Sequence, residues 1–399
     1  MRDECRASLR ADRLHSAMEV GWLVVSWRSV VIAALIVVLA CSTAQEQPCP
    51  VDPQDLQAYD DVRGIMLNRC GVSLENADLR DRGEVLTRVT FDTRTGWPPK
   101  DHLPQGFDPQ RILERGKNPG LGIRALHGQG ITGAGVHIAI IDQPLLRNHQ
   151  EYRDKVASYT AIDCAGVPPQ MHGAAVASLL VGTNCGVAPG SALHYWAEPS
   201  WKGDHSQRAE ALRQIIEFNN GKPLRERIRV VSVSIGFNPQ YRNLESWKKA
   251  LDDAKKHGLI VIHCGDMIHG VGCPLEKDPD EAAHHEICYF ARESHRRPSF
   301  PKERLYVPID NRTTAGFEGV QDYAFFADGG LSWGAPYLAG VIALGYQVDP
   351  HLDIETVFAY LRETGTPFIQ EGWIVSPRRF IGKIRATKTE RASGGAQQP

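Results

Sequence analysis

From Gly120 onward the chain alternates short apolar runs with amphipathic stretches. Val136 to Ile141, reading VHIAII, has the unbroken apolar character of a strand buried on both faces, and Ala192 to Trp196, Arg229 to Ile235 and Leu259 to His263 repeat it. Between these runs, Ala174 to Val181 predicts a small apolar helix. Gln207 to Phe218 predicts a helix with Ala211, Leu212, Ile215 and Ile216 on one face, and Ser246 to Lys256 a charged amphipathic one. Strands alternating with helices predict an α/β fold with a mainly parallel central sheet covered by helices on both faces. Upstream, Pro48 to about Lys117 is rich in Asp, Arg and Pro with weak periodicity. Residues 42–117 are therefore expected to be an extension or pro-region, and 118–386 the main domain. The tail from Thr387 to Pro399, with Ser393-Gly394-Gly395 and Gln397-Gln398, is expected to be disordered.

One apolar run stands outside this pattern. Val30 to Ala40, VVIAALIVVLA, spans eleven residues after Arg28, about half of what a bilayer-crossing helix needs, so an export signal is expected rather than an anchor helix. Val38-Leu39-Ala40-Cys41 resembles a bacterial lipobox, which makes Cys41 the candidate lipidation site and first mature residue. Met18 is an alternative start. The expected location is exported: periplasmic, extracellular, or held at a membrane through a lipid on Cys41. Cysteine usage agrees with an oxidising compartment. Beyond Cys5 and Cys41, seven cysteines remain with neither CxxC nor zinc-knuckle spacing, and proximity suggests Cys49 with Cys70, Cys164 with Cys185 and Cys273 with Cys288, leaving Cys264 free.

Composition excludes several classes. With 42% hydrophobic and 23% charged residues, the 399-residue chain has globular usage. Its 45 Lys and Arg against 47 Asp and Glu leave no basic field to attract nucleic acid. His284-His285-Glu286 lacks HExxH spacing and reads as a solvated loop.

In a parallel sheet, chemistry collects at the carboxyl ends of strands. Asp142 ends the run VHIAIID, His172 opens HGAAVASLLVG, and Ser332 lies in GGLSWGAPYLAGVIAL, where a Gly-rich loop turns into an apolar helix. Each has a bland reading alone: a helix N-cap for Asp142 and Ser332, an ordinary histidine for His172. Their order, Asp then His then Ser, is that of the subtilisin arrangement. The surrounding segments GITGAGVHIAIID, HGAAVASLLVG, GVAPGSALHYW and GLSWGAPYLAGVIAL, over about Gly120 to Asp349, resemble the subtilisin-like serine peptidases (peptidase family S8).

The resemblance implies an endopeptidase in which Ser332 attacks a scissile carbonyl, His172 is general base and then acid, and Asp142 fixes the imidazole. VVSVSIGF would place Ser234, Ile235 and Gly236 beside an extended polypeptide substrate. No cofactor is required; calcium is common in the family, but no EF-hand-type loop occurs here. Departures from the family pattern are Gln143-Pro144 after the Asp, the absence of a second His after His172, and Leu331 before the Ser. Asp266, in LIVIHCGDM, falls where the family has an Asn that donates to the oxyanion, and an ionised Asp can only accept. A non-catalytic peptide-binding module of the same fold is the alternative reading.

Overall fold

The computed structural model describes residues 49–50, 55–63, 72–265 and 267–394. Cys41, the apolar run before it and Asp266 lie outside the described residues. Elements are named here in chain order: β1 Phe91–Asp92, α1 Pro109–Gly116, β2 His137–Asp142, β3 Val156–Ala161, α2 Met171–Val181, β4 Ala192–Ala197, α3 Ser206–Asn219, β5 Ile228–Val233, α4 Leu244–Lys256, β6 Ile260–His263, β7 Ile268–Gly272, β8 Glu286–Ile287, β9 Leu305–Asp310, β10 Arg312–Ala315, β11 Tyr323–Phe326, α5 Gly334–Val348, α6 Ile354–Thr364 and α7 Pro377–Gly394.

The central sheet has the order β3-β4-β2-β5-β6 and every pairing in it is parallel. Because successive side chains of a strand point to opposite faces, β2 feeds two cores. Ile138 and Ile140 join α2 and α5 on one face, while Ala139 and Ile141 join Trp196, Leu212, Ile215 and Trp247 under α3 and α4 on the other. The apolar run thus becomes a strand buried on both sides, as the periodicity predicts. α2 is buried on almost every side from Gly173 to Val181, which explains its lack of a polar face. β7 and β9 pair in parallel, with the short β8 antiparallel to β7.

Two expectations need correction. The tail expected to be disordered from Thr387 is helical as far as Gly394, because α7 buries Phe380, Ile381 and Ile384, two of which pack against Gly345 of α5. Lys388 Nζ then donates to the Val348 carbonyl at 2.7 Å, and Arg391 pairs with Asp349 at 3.4 Å. The proposed bridges Cys164–Cys185 and Cys273–Cys288 are also absent: Cys164, Cys185, Cys264, Cys273 and Cys288 are all free. The strand register gives the reason for the second pair. Val271 faces Ile287, so Cys288 falls opposite Gly270, three residues from Cys273 and about 10 Å along the strand, beyond the roughly 7 Å that a disulfide spans. Cys164 and Cys185 belong to two separate core clusters. The Cys49–Cys70 pair involves a residue outside the described set.

Residues 55–63 and 72–117 form a layer against the main domain. β1 pairs antiparallel with β11, whose other edge pairs with β10. Leu56, Val62, Leu74, Leu79, Leu86, Val89, Phe91, Ile112 and Leu113 share one core with Tyr323, Phe325 and Ala327.

Candidate active site

Asp142 is the last residue of β2, paired in register with Ala197 at the end of β4, so its side chain emerges where the sheet's hydrogen bonding stops. It is 6% exposed, and its Oδ1 accepts from the Gln143 amide at 2.8 Å. His172 is the second residue of α2. Its neighbour Gly173 allows α2 to close on the strand end: a Cβ there would lie 2.4 Å from the Gln143 carbonyl and 2.7 Å from the Tyr195 hydroxyl. This contact delivers His172 Nδ1 to 2.6 Å from Asp142 Oδ1. A carboxylate at that distance accepts, so Nδ1 carries the proton and Nε2 is left as the basic nitrogen.

Ser332 sits in the 3-10 turn Leu331–Trp333 that leads directly into the fifteen-residue α5. Its Oγ donates to the Ser234 carbonyl at 3.4 Å, and Ser234 Oγ donates back to the Ser332 carbonyl at 2.8 Å. Ser234 follows β5, and Ile235 accepts from the Cys264 amide at 3.1 Å. Gly236 lies so close to the Cys264 carbonyl that a Cβ would come within 2.7 Å of it. Ser234 is therefore bonded to the turn carrying Ser332, while Ile235 and Gly236 run beside Cys264.

Three of the expected residues, Asp142, His172 and Ser332, gather at the carboxyl ends of β2 and β5, but not as one hydrogen-bonded chain. The imidazole is bonded to Asp142 and the hydroxyl to Ser234. What joins the two halves is Trp333, a residue sequence reasoning passed over. Its ring is 2% exposed and stands 5.6 Å from the His172 ring, wedged against Gly329, where a Cβ would collide with it. The tryptophan inside GLSWGAP is the only sequence signal for it.

The electrostatics around the site depend on groups distant in sequence. Burial pushes the His172 pKa down, but the charge and hydrogen bond of Asp142, with Glu198 farther off, outweigh it and leave the net shift upward. Glu198, 2% exposed, follows β4 and donates its amide to the Asp142 carbonyl at 2.8 Å. Its Oε1 accepts from the fully buried Arg208 at 2.8 Å and 3.2 Å, while Oε2 has no partner. Burial, opposed by Arg208 and helped by Asp142, raises the Glu198 pKa to about 7. Arg208 Nη1 also meets His205 Nδ1 at 2.8 Å, and His205 Nε2 reaches the Asn238 carbonyl at 3.3 Å, which ties the strand end to the segment beyond Gly236.

Residues 133–265, which include Asp142, His172 and the Ser234–Gly236 segment, match the model of the subtilase family. An extracellular serine proteinase of Thermus sp. (strain Rt41A) is 29% identical over 184 residues, covering 41% of this chain. The match spans 42% of that relative's length. Among solved structures, one described as the structural basis of subtilase cytotoxin SubAB assembly aligns with a TM-score of 0.52 at 12% identity, over 73% of this chain and 97% of that one. The prenylagaramide maturation protease PagA aligns with a TM-score of 0.45 at 16% identity, over 66% and 98%. The stretch that matches the subtilase family model, residues 133–265, holds all five strands of the parallel sheet and both members of the Asp142–His172 pair at its carboxyl edge, so this part of the chain is similar to that family in sequence and carries the pair at the sheet's end.

Proposed function

We propose that the protein is an exported serine endopeptidase that hydrolyses polypeptides through Asp142, His172 and Ser332 and an acyl-enzyme. The observation that carries this reading is the 2.6 Å Asp142–His172 hydrogen bond, which leaves Nε2 basic beside the turn bearing Ser332. In the resting arrangement Ser332 Oγ is bonded to the Ser234 carbonyl, so attack requires a rotation about χ1 that swings the hydroxyl to Nε2. That rotation frees the Ser234 carbonyl to accept an N–H from an extended substrate lying along Ser234, Ile235 and Gly236. His172 Nε2 takes the hydroxyl proton as Oγ attacks the carbonyl carbon, then returns it to the leaving amine. Water, deprotonated by the same nitrogen, releases the acyl group.

Backbone amides of the turn before α5 stabilise the oxyanion. Asp266, two residues beyond Cys264 and outside the described residues, stands in sequence where a side-chain donor is usual, and its carboxylate contributes none while ionised. Neither metal nor organic cofactor is needed for these steps. Export, with lipidation at Cys41, rests on the VVLAC junction and agrees with the extracellular Thermus relative.

A fluorophosphonate probe tests the reading. It should label the protein at Ser332, and Ser332→Ala or His172→Ala should each lower kcat on a peptide substrate by about 10⁶-fold, the magnitude of the corresponding subtilisin knockouts. Failure of the wild type to label or cleave would leave the peptide-binding alternative.

A further inference from the structure

Residues 55–63 and 72–117 are woven into the site rather than set on the surface. The Val62 amide donates to the Thr90 carbonyl at 3.0 Å and Thr90 to Asp60 at 2.9 Å, while Thr90 Oγ1 accepts from the Ala327 amide at 3.3 Å. Next along the chain, Arg63 has a side chain only 2% exposed. Its Nε and Nη2 hold the two oxygens of Asp61 at 2.9 Å and 2.7 Å, which neutralises the buried charge. The guanidinium lies 4.5 Å above the Phe326 ring. Phe326 meets Trp333 edge-on, centroids 5.0 Å apart and planes at 84°, and Trp333 reaches the His172 ring and adjoins Ser332. An unbroken series of packed groups therefore runs from the N-terminal layer to the base and the nucleophile's turn.

We propose that this layer is a permanent part of the catalytic framework rather than a removable pro-region, and that Arg63 is a positioning residue acting on His172 and Ser332 through Phe326 and Trp333. The proposal rests on the serine-peptidase reading above. A segment meant to leave must separate without exposing the core it covered. Departure of this one would strip β11 of its β1 partner and bare Tyr323, Phe325 and Ala327 to water. It would also remove the guanidinium from the face of Phe326, whose ring backs Trp333. Arg63 touches no substrate. Its effect belongs in kcat, through the orientation of the imidazole and the turn, and misplacements of about 1 Å in such groups cost up to about 10²-fold.

Two experiments decide the matter. In the first, kcat and KM are measured separately for Arg63→Met, Arg63→Lys, Phe326→Leu and the Arg63→Met/Phe326→Leu double variant. Arg63→Met should lower kcat at least about tenfold with KM nearly unchanged. Arg63→Lys, which keeps a cation over the ring, should recover most of it. The double variant should fall no further than the worse single, because both act through Trp333. Wild-type kcat in Arg63→Met, or losses that multiply, would overturn the role of Arg63. Should Arg63→Met fail to fold, Arg63→Lys and Phe326→Leu carry the test at unchanged thermal midpoint, and wild-type kcat in both overturns it.

In the second, a specific protease site is inserted at Gly106, an exposed position with no atom near its would-be Cβ. After cutting, the N-terminal piece should stay bound through gel filtration with the thermal midpoint retained. A piece that leaves in native buffer, with the thermal midpoint of the remainder unchanged, would refute permanence. This experiment judges the layer by retention and midpoint even if the wild type proves not to be a peptidase, so the two failures are distinguishable.

Discussion

Asp310→Asn should make the protein more stable in alkali and slightly less stable in acid. Asp310 ends β9 with 5% exposure, and its Oδ2 accepts from the Tyr289 amide at 2.7 Å, its Oδ1 from the Gly329 amide at 3.4 Å. Asp328, half-buried one residue before Gly329, binds the Gly330 amide at 3.3 Å. Burial, then the neighbouring Asp328 carboxylate, raise the Asp310 pKa from 3.8 to about 7, against the weaker opposing pull of the two amides and of Arg292. A folded-state value above the unfolded one means that the unfolded chain releases this proton more readily. The penalty is absent below about pH 4, grows through the interval, and is complete above about pH 7, where it reaches about 4 kcal/mol at 1.36 kcal/mol per pH unit. Asn carries no such penalty but loses one accepted amide bond, a cost of about 1 kcal/mol. The variant should therefore be about 3 kcal/mol more stable than wild type at pH 9 and about 1 kcal/mol less stable at pH 4. Urea unfolding followed by tryptophan fluorescence at pH 4, 7 and 9 reads the difference directly, other titrating groups cancelling between the two proteins. A difference that stays constant with pH would refute the buried titration.

Three further outcomes follow from the same geometry. Asp142→Asn should lower kcat by about 10⁴-fold by presenting the wrong imidazole tautomer, and should move the acid limb of kcat/KM to lower pH, because the carboxylate charge that raises the His172 pKa is gone; a pH–rate profile of both proteins checks this. Arg208→Met leaves Glu198 buried without its cation and should destabilise by about 3–5 kcal/mol in urea unfolding near pH 8, with Glu198→Gln in the same chain restoring most of the loss. Iodoacetamide in denaturant without reductant should alkylate Cys164, Cys185, Cys264, Cys273 and Cys288, each read by peptide mass, whereas the native protein should react slowly at Cys264, whose thiol burial and Asp142 push up to about 12.

The sheet was legible because its strands are short apolar runs, while α3 and α4 between them carry one apolar and one polar face. VHIAII, expected over Val136 to Ile141, is β2 at His137–Asp142, and Leu259 to His263 is β6 at Ile260–His263. β3 escaped notice because Val156–Ala161 reads VASYTA at the sheet's edge, half-buried, with too few apolar side chains to show a pattern. The N-terminal layer shows only weak periodicity for a related reason. Its strands Val72–Ser73 and Phe91–Asp92 are two residues long each, and its core is completed by Tyr323 and Phe325, more than two hundred residues away. α7 defeated a compositional argument: Thr387 to Gly394 is polar because that part of the helix lies along the surface, anchored by the apolar turns before it.

The site divides along the same line, between what a local string can encode and what only packing creates. Asp142, His172 and Ser332 each sit at the end or start of an element whose apolar pattern is readable, so their positions at the carboxyl edge of the sheet followed once the elements were known. The tuning of those residues did not follow, because it comes from groups brought in across the chain. Glu198 meets Arg208 only after α3 folds back on β4, and Arg63 reaches His172 only by way of Phe326 and Trp333. Cysteine spacing misled for the same reason: a disulfide needs Cβ atoms about 4 Å apart, and a strand that puts Cys288 opposite Gly270 separates it from Cys273 however close they stand in sequence. Chemistry set by residue type was therefore visible from the string, whereas chemistry set by distance, including the resting bond of Ser332 to Ser234 rather than to His172, required the fold.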